Sequence, residues 1–299
     1  MAGDQRVYQQ KIKATQTLKK TFRAMELIAA ARIGKARAAA KAADPYTRAL
    51  VRALSSVAAH ADLSHPMLTG REDNNRVAVL VVTADRGMAG AYSASVLRAA
   101  EKVLGELEEQ GKTAELYVAG RRGDSYFRFR GREVAQTWLG GSDAPTVERA
   151  DDIAETLLER FHAEDGVGEL HVVYTRFVSM VTQVPEVRRM LPLAIVAAEE
   201  ADVDSAAEAE ASPLYTFEPS AEEVLDTLLP MYVRRRIHAQ LLMASASELA
   251  ARQQAMRTAT DNAEDLIREY TRLKNSARQA DITTEISEIV SGADALAAS

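Results

Sequence analysis

The stretch Ser220-Ala-Glu-Glu-Val-Leu-Asp-Thr-Leu-Leu-Pro230 opens a run that reaches Val290 without a Gly and without a second Pro. Ser220 and Glu223, just after Pro219, match a capping box, in which the Ser side chain accepts from a backbone N–H that the first helical turn leaves unpaired. An unbroken helix of about 70 residues spans roughly 100 Å, whereas globular helices average about 11–12 residues. A 299-residue chain cannot bury such a helix inside a globular domain, so the helix must pair with another long one. The other end of the chain offers the partner. Between Asp4 and Ala59, Ile12, Thr15, Leu18, Phe22, Met25, Ala29, Ile33, Ala36 and Ala40 recur every three or four positions, which is the seam of a helix packed on a helix. Alanine dominates the later half of that seam. Small side chains let two axes approach closely, but at roughly 25 cal/mol per Å² they bury little, so the pairing needs length. Pro45 marks a kink or interruption. The heptads are imperfect, which predicts a partly irregular antiparallel coil.

Between these ends the hydrophobic period changes. Arg76-Val-Ala-Val-Leu-Val-Val82 is apolar and β-branched, as suits a strand covered on both faces. A turn follows from Thr83 to Ala91, then a helix over about Ser93–Gln110 that stops at Gly111. Further strands are expected at Glu115–Gly120, Glu133–Leu139, Glu169–Thr175 and Met190–Ala197, with an amphipathic helix over Thr146–His162. Alternation of strands and helices predicts a Rossmann-like α/β domain with a mostly parallel sheet, inserted between the two paired helices. The expected division is a helix over 1–60, an α/β domain over 75–198, an acidic loop over 199–219 and a second helix over 220–299.

Charge is sorted along the chain. The formal net charge of −6 hides nine Lys and Arg from Lys11 to Lys41 against the single acid Glu26. From Glu199 to Asp226 the acids meet no Lys or Arg. A basic helix suits nucleic acid, anionic lipid or an acidic protein surface, or is simply a solvated face. A coiled coil that binds nucleic acid through this helix is the alternative function; the acidic pI near 5.6 and the lack of interleaved aromatics weigh against it. The absence of Cys excludes disulfides, thiol nucleophiles and cysteine-ligated metals. No apolar run approaches a membrane span, and the N-terminus lacks a signal peptide's apolar stretch, so the chain is expected in the cytosol.

No catalytic constellation stands out. Asp85-Arg-Gly-Met-Ala-Gly-Ala91 lies between a strand and a helix, where nucleotide loops sit, but it fits neither GxGxxG nor the P-loop pattern. It reads as a tight surface turn presenting Asp85 and Arg86, with a small α/β enzyme as the competing reading. His171 reads as a packed or surface histidine, and the acids of 199–210 lack calcium-loop spacing. One feature points outward. Ile282, Ile286 and Ile289 follow helical spacing near the C-terminus, where chain ends are ordinarily polar, and imply an apolar socket on a partner. Arg278 and Gln279 precede them as long hydrogen-bonding groups.

With these residues in view, the chain resembles the gamma subunit, the central-stalk rotor, of F-type ATP synthase over nearly its whole length. The resemblance is strongest in Ala255-Met-Arg-Thr-Ala-Thr-Asp-Asn-Ala263 and in Ala277-Arg-Gln-Ala-Asp-Ile-Thr-Thr-Glu-Ile-Ser-Glu-Ile-Val-Ser-Gly-Ala293. It extends to Lys11–Ala31, to the Asp85-Arg-Gly87 loop, to Gln183-Val-Pro185 and to Leu191-Pro-Leu193. Ala89 stands where many relatives carry Cys, and no cysteine pair exists for the thiol control of plastid forms. The resemblance implies a non-catalytic shaft without cofactor or metal. Its implied partners are three alpha and three beta subunits, an epsilon subunit and the c-ring, with neither nucleic acid nor membrane insertion. The implied location is peripheral, on the cytoplasmic face of the cell membrane. It implies that Arg23 and Met25 meet an acidic loop of a beta subunit, with Asp85, Arg86 and Gly87 near the same place. Arg252, Arg278 and Gln279 would be polar contacts between shaft and head, and Phe217 and Glu218 would lie in the foot near the ring.

Overall fold

A computed structural model describes residues 2–60, 66–70, 74–193, 218 and 220–297. Helix α1 covers Ala2–His60 and α2 covers Pro66–Thr69. Strand β1 (Arg76–Val82), α3 (Tyr92–Glu109), β2 (Thr113–Ala119), α4 (Arg121–Phe129), β3 (Gln136–Trp138), α5 (Val147–His162), β4 (Glu169–Phe177) and β5 (Gln183–Leu191) follow, and α6 runs over Ala221–Ala297. The chain divides into two compact units, one of Met1–Ala30 with Arg252–Ser299 and one of Ala31–Ala251.

In the first unit, α1 and α6 run antiparallel. Lys19 Nζ lies 3.1 Å from Glu264 Oε2, Lys274 Nζ donates to Gln9 Oε1 at 3.1 Å, and Lys11 Nζ sits 5.4 Å over the Tyr270 ring. A row of covered positions is formed by Ile12, Thr15, Lys19, Phe22, Glu26 and Ala29 on α1, and by Met256, Thr260, Ala263, Ile267, Tyr270, Lys274 and Ala277 on α6. Both sets alternate steps of three and four, with Met25, Ala259, Glu264 and Leu273 half-buried beside them, and the α1 set differs from the seam expected from the sequence. Polar side chains at seam positions explain the difference: Lys19 and Glu26 hold places that a search for apolar residues skips. Leu18, expected in the seam, is instead 52% exposed.

In the second unit a five-stranded sheet has the order β3-β2-β1-β4-β5. The first four strands are parallel, and β5 pairs antiparallel with β4. Alternate residues of β1 face two cores. Val77, Val79 and Val81 pack with Val96 and Leu104 of α3 and Phe127 of α4. Ala78, Leu80 and Val82 pack with Ile153, Leu157 and Phe161 of α5, Leu54 and Val57 of α1, and Leu229, Val233 and Ile237 of α6. Covering α6 on nearly all sides over Gln240–Ala250 is what admits Ser245, Ser247 and Ala250 there.

Several boundaries differ from the sequence reading. Among the described residues the last strand is β5, Gln183–Leu191, of which the expected strand Met190–Ala197 takes in only the end; residues 194–197 lie outside the described residues. Its backbone turns back tightly from β4, and its pattern is blurred by Pro185 and by Arg188 and Arg189 on an edge strand. Strand β3 is only Gln136–Trp138. Helix α4 escapes the pattern because it buries only Gly123 and Phe127 among many charges. Neither Pro45 nor Pro230 ends its helix. The starts are local chemistry: Glu223 N donates to Ser220 Oγ at 3.2 Å, and Arg149 N to Thr146 Oγ1 at 3.3 Å.

Candidate partner-contact surfaces

The loop after β1 carries the first group of candidates. Thr83 ends the strand buried, and its Oγ1 accepts from Gly123 N at 2.9 Å. Gly120 lies so close that a Cβ there would stand 2.2 Å from Thr83 O, at φ +109°. Asp85 does not project outward as a presented side chain. Its Oδ1 accepts from Gly140 N at 2.9 Å and Arg121 N at 3.1 Å, its Oδ2 accepts from Ser142 N at 3.0 Å, and its own N–H donates to Ser142 Oγ at 2.9 Å. Burial pushes this carboxyl up, and the donors on Gly140, Ser142 and Arg121 together outweigh burial and hold it below the usual range. Asp85 is therefore a clamp joining three loops. Arg86 is exposed, Met88 is exposed at φ 62°, and Gly87 meets nothing closer than Arg122 Nη2 at 3.9 Å, so no steric demand requires a glycine there.

The clamp bears on nucleotide binding at this loop. Doubly wound sheets bind nucleotides beyond the carboxyl ends of their strands, through free backbone N–H groups. Here the N–H groups of Arg121, Gly140 and Ser142 at that end of the sheet are taken by Asp85. The cavity beside the clamp, of about 30 Å³ and lined by Trp138, Arg149, Leu241 and Ala244 among others, has room for about one water. His171 is packed: Nε2 lies 2.8 Å from Glu169 Oε2, whose Oε1 is 2.6 Å from Lys112 Nζ.

The other candidates lie apart from this loop. In the first unit Arg23 is exposed and its Nη1 lies 2.8 Å from Oε2 of buried Glu26, so the basic side chain already has a partner one helical turn on. Met25 is half-buried, as is Arg252. Arg278 and Gln279 are exposed, and Ile282, Ile286 and Ile289 are exposed to 43%, 57% and 71%. These isoleucines fall on a face other than the seam, which passes through Asp281 and Thr284. Glu218 is exposed, whereas Phe217 and the acids of 199–212 lie outside the described residues. Sequence reasoning missed the partners of Asp85. The pair Gly140-Gly141, both at positive φ, was the available signal for a tight loop.

A unit of two long paired helices with an exposed apolar face, and an α/β unit built on a mostly parallel sheet, define the class by fold: a long-helix coiled-coil protein carrying an α/β domain. Comparison with known proteins agrees. Residues 4–296 match the family model described as ATP synthase. The ATP synthase gamma chain of Beutenbergia cavernae is 63% identical over 302 residues, covering 100% of both chains, and that of an Arthrobacter species is 54% identical over 302 residues with the same coverage. Among solved structures, a chain of the Euglena gracilis mitochondrial ATP synthase (OSCP/F1/c-ring, rotational state 3) shares the fold with a TM-score of 0.66 at 16% identity, over 99% of this chain and 95% of that one. The chain therefore belongs to the ATP synthase gamma chain family, the non-catalytic central-stalk subunits of F-type ATP synthase. The nucleic-acid-binding alternative finds no support in these matches.

Proposed function

We propose that this chain turns inside a head of three alpha and three beta subunits, with epsilon beside it and the c-ring below. In this reading it stays peripheral, on the cytoplasmic face of the cell membrane, and couples proton flow to ATP synthesis. The carrying observation is the uncovered apolar face of Ile282, Ile286 and Ile289 on a helix whose seam is already paired elsewhere. An apolar stripe beyond the seam asks for a socket on another protein.

The mechanism follows from symmetry. One shaft amid three like sites cannot present the same surface to each. A partner shifts a conformational equilibrium only by its differential affinity, and moving a population from 1:99 to 99:1 takes about 5.5 kcal/mol. A charge crossing the membrane supplies roughly 2.3 kcal/mol per 100 mV, so several protons per step suffice. Arg23, Met25, Arg86, Gly87, Arg252, Arg278 and Gln279 are the proposed shaft contacts with the head, Asp85 holds the Arg86 loop in place, and Phe217 and Glu218 belong to the foot. Exposed ion pairs contribute only about 0–1 kcal/mol each, so contacts of this kind are remade at every step without locking the rotor.

Affinity purification of the chain from its native membranes tests the reading. Alpha and beta chains should co-purify, each at three copies per copy of this chain; recovery of the chain alone overturns it. Met25→Lys should lower proton pumping per ATP in reconstituted vesicles more than it lowers ATP hydrolysis, and equal loss of both would reject the contact assigned to Met25.

A further inference from the structure

The turn between β4 and β5 is a rigid apolar knob. Ser179 Oγ accepts from Val181 N at 3.3 Å and Thr182 N at 3.0 Å, while Ser179 N donates to Thr182 O at 2.9 Å. Gln183 Nε2 donates to Ser179 O and to Met180 O, each at 3.0 Å. On this fastened turn Val181 is 86% exposed, Val178 50% and Met180 37%. Phe177 at its base packs against Ile33 and Ala36 of α1 and Leu249 of α6, and the Arg37 guanidinium lies 5.6 Å over its ring. From Phe177 to Pro185 no residue is charged, and α1 beside it, from Ala31 to Ala43, carries Arg32, Lys35, Arg37 and Lys41 with no acid.

We propose that this knob is a docking element for a protein surface that combines apolar side chains with carboxylates. It seats Val178, Met180 and Val181 in an apolar recess while the carboxylates face Arg37 and Lys41, which lie one helical turn apart on the side of α1 next to Phe177. This inference rests on the assembly reading above and assigns it a further contact. A turn ordered before binding loses little entropy on docking, which is how a small patch becomes an anchor. The same chemistry argues for protein over lipid. A bilayer interface favours Trp and Tyr, of which the tip has none, and has no use for a turn held by side-chain hydrogen bonds.

The chain has no Cys, so Val181→Cys places one thiol on it. The purified variant, labelled with benzophenone maleimide and then assembled with the other subunits in vesicles, should cross-link on irradiation to a segment of another subunit that holds both acidic and apolar residues. Cross-linking to lipid, to a basic segment, or only within this chain while the complex assembles overturns the docking element and leaves the assembly reading standing; failure of the unlabelled wild-type chain to assemble overturns both. Val181→Asp should weaken association with the purified partner subunits about tenfold or more without changing the chain's own thermal midpoint, and Val181→Leu should restore it. Wild-type association by Val181→Asp also overturns the proposal.

Discussion

The two compact units are stabilised in different ways. In the α/β unit the strand residues Val77 to Val81 are wholly buried, and apolar side chains fill both faces of the sheet. In the paired-helix unit the seam includes Lys19, Glu26, Thr260 and Lys274, and its cross-helix polar contacts include the exposed pair Lys19–Glu264, the Lys274–Gln9 hydrogen bond and Lys11 over the Tyr270 ring. Burial of apolar area is the dominant favourable contribution to folding, whereas exposed ion pairs add little. The α/β unit thus holds its own fold through its core. The paired-helix unit sets register with polar groups and leaves Leu27, Ile28, Ile282, Ile286 and Ile289 uncovered. A single substitution should therefore matter far more in the sheet than in the coil.

The largest expected effect is Gly120→Ala. The added Cβ meets Thr83 O at 2.2 Å, at a φ that L-residues rarely adopt, so destabilisation of about 4 kcal/mol or more is expected in urea titration. A loss below about 1 kcal/mol would show that the β1 and β2 ends are looser than described. Next comes Asp85→Ala, which leaves the N–H groups of Arg121, Gly140 and Ser142 without their acceptor and should remove about 2–3 kcal/mol. Trp138, the only tryptophan, lines the same cavity and reports the change by fluorescence.

A pH dependence should follow from His171. Burial, opposed by the bond to Glu169, lowers its pKa in the folded chain beneath the usual 6.5 of histidine. The unfolded chain then binds more protons in the window just below 6.5, so the α/β unit should lose stability as pH falls through that value. His171→Gln should flatten this slope in melts between pH 7.5 and 5.5, and an unchanged slope would assign it to other groups. The smallest effect belongs to the coil. Lys19→Leu replaces a charge at a seam position with an apolar side chain and should leave the thermal midpoint unchanged or slightly higher. A clear drop would mean that the pair with Glu264 contributes more than exposed pairs do, and would narrow the contrast between the units.

Much of the architecture was legible in the residues. A Gly-free run after Ser220, a three-and-four pattern from Ile12 to Ala40 and the β-branched run Val77–Val82 sufficed for two long helices around a parallel sheet, because backbone periodicity is written locally. The outward isoleucines near the C-terminus were legible for the same reason. Three features were not. The role of Asp85 depended on loops 36 to 57 residues away, whose N–H groups only the folded sheet brings together. Lys19 and Glu26 entered the seam because heptad geometry selects positions, not residue types. The direction of β5 was decided by pairing with β4, since an edge strand with Pro185 and two arginines carries no clear alternation of its own. Local chemistry thus determined which segments are helix or strand, and long-range pairing decided which polar groups would be consumed inside the chain and which left for partners.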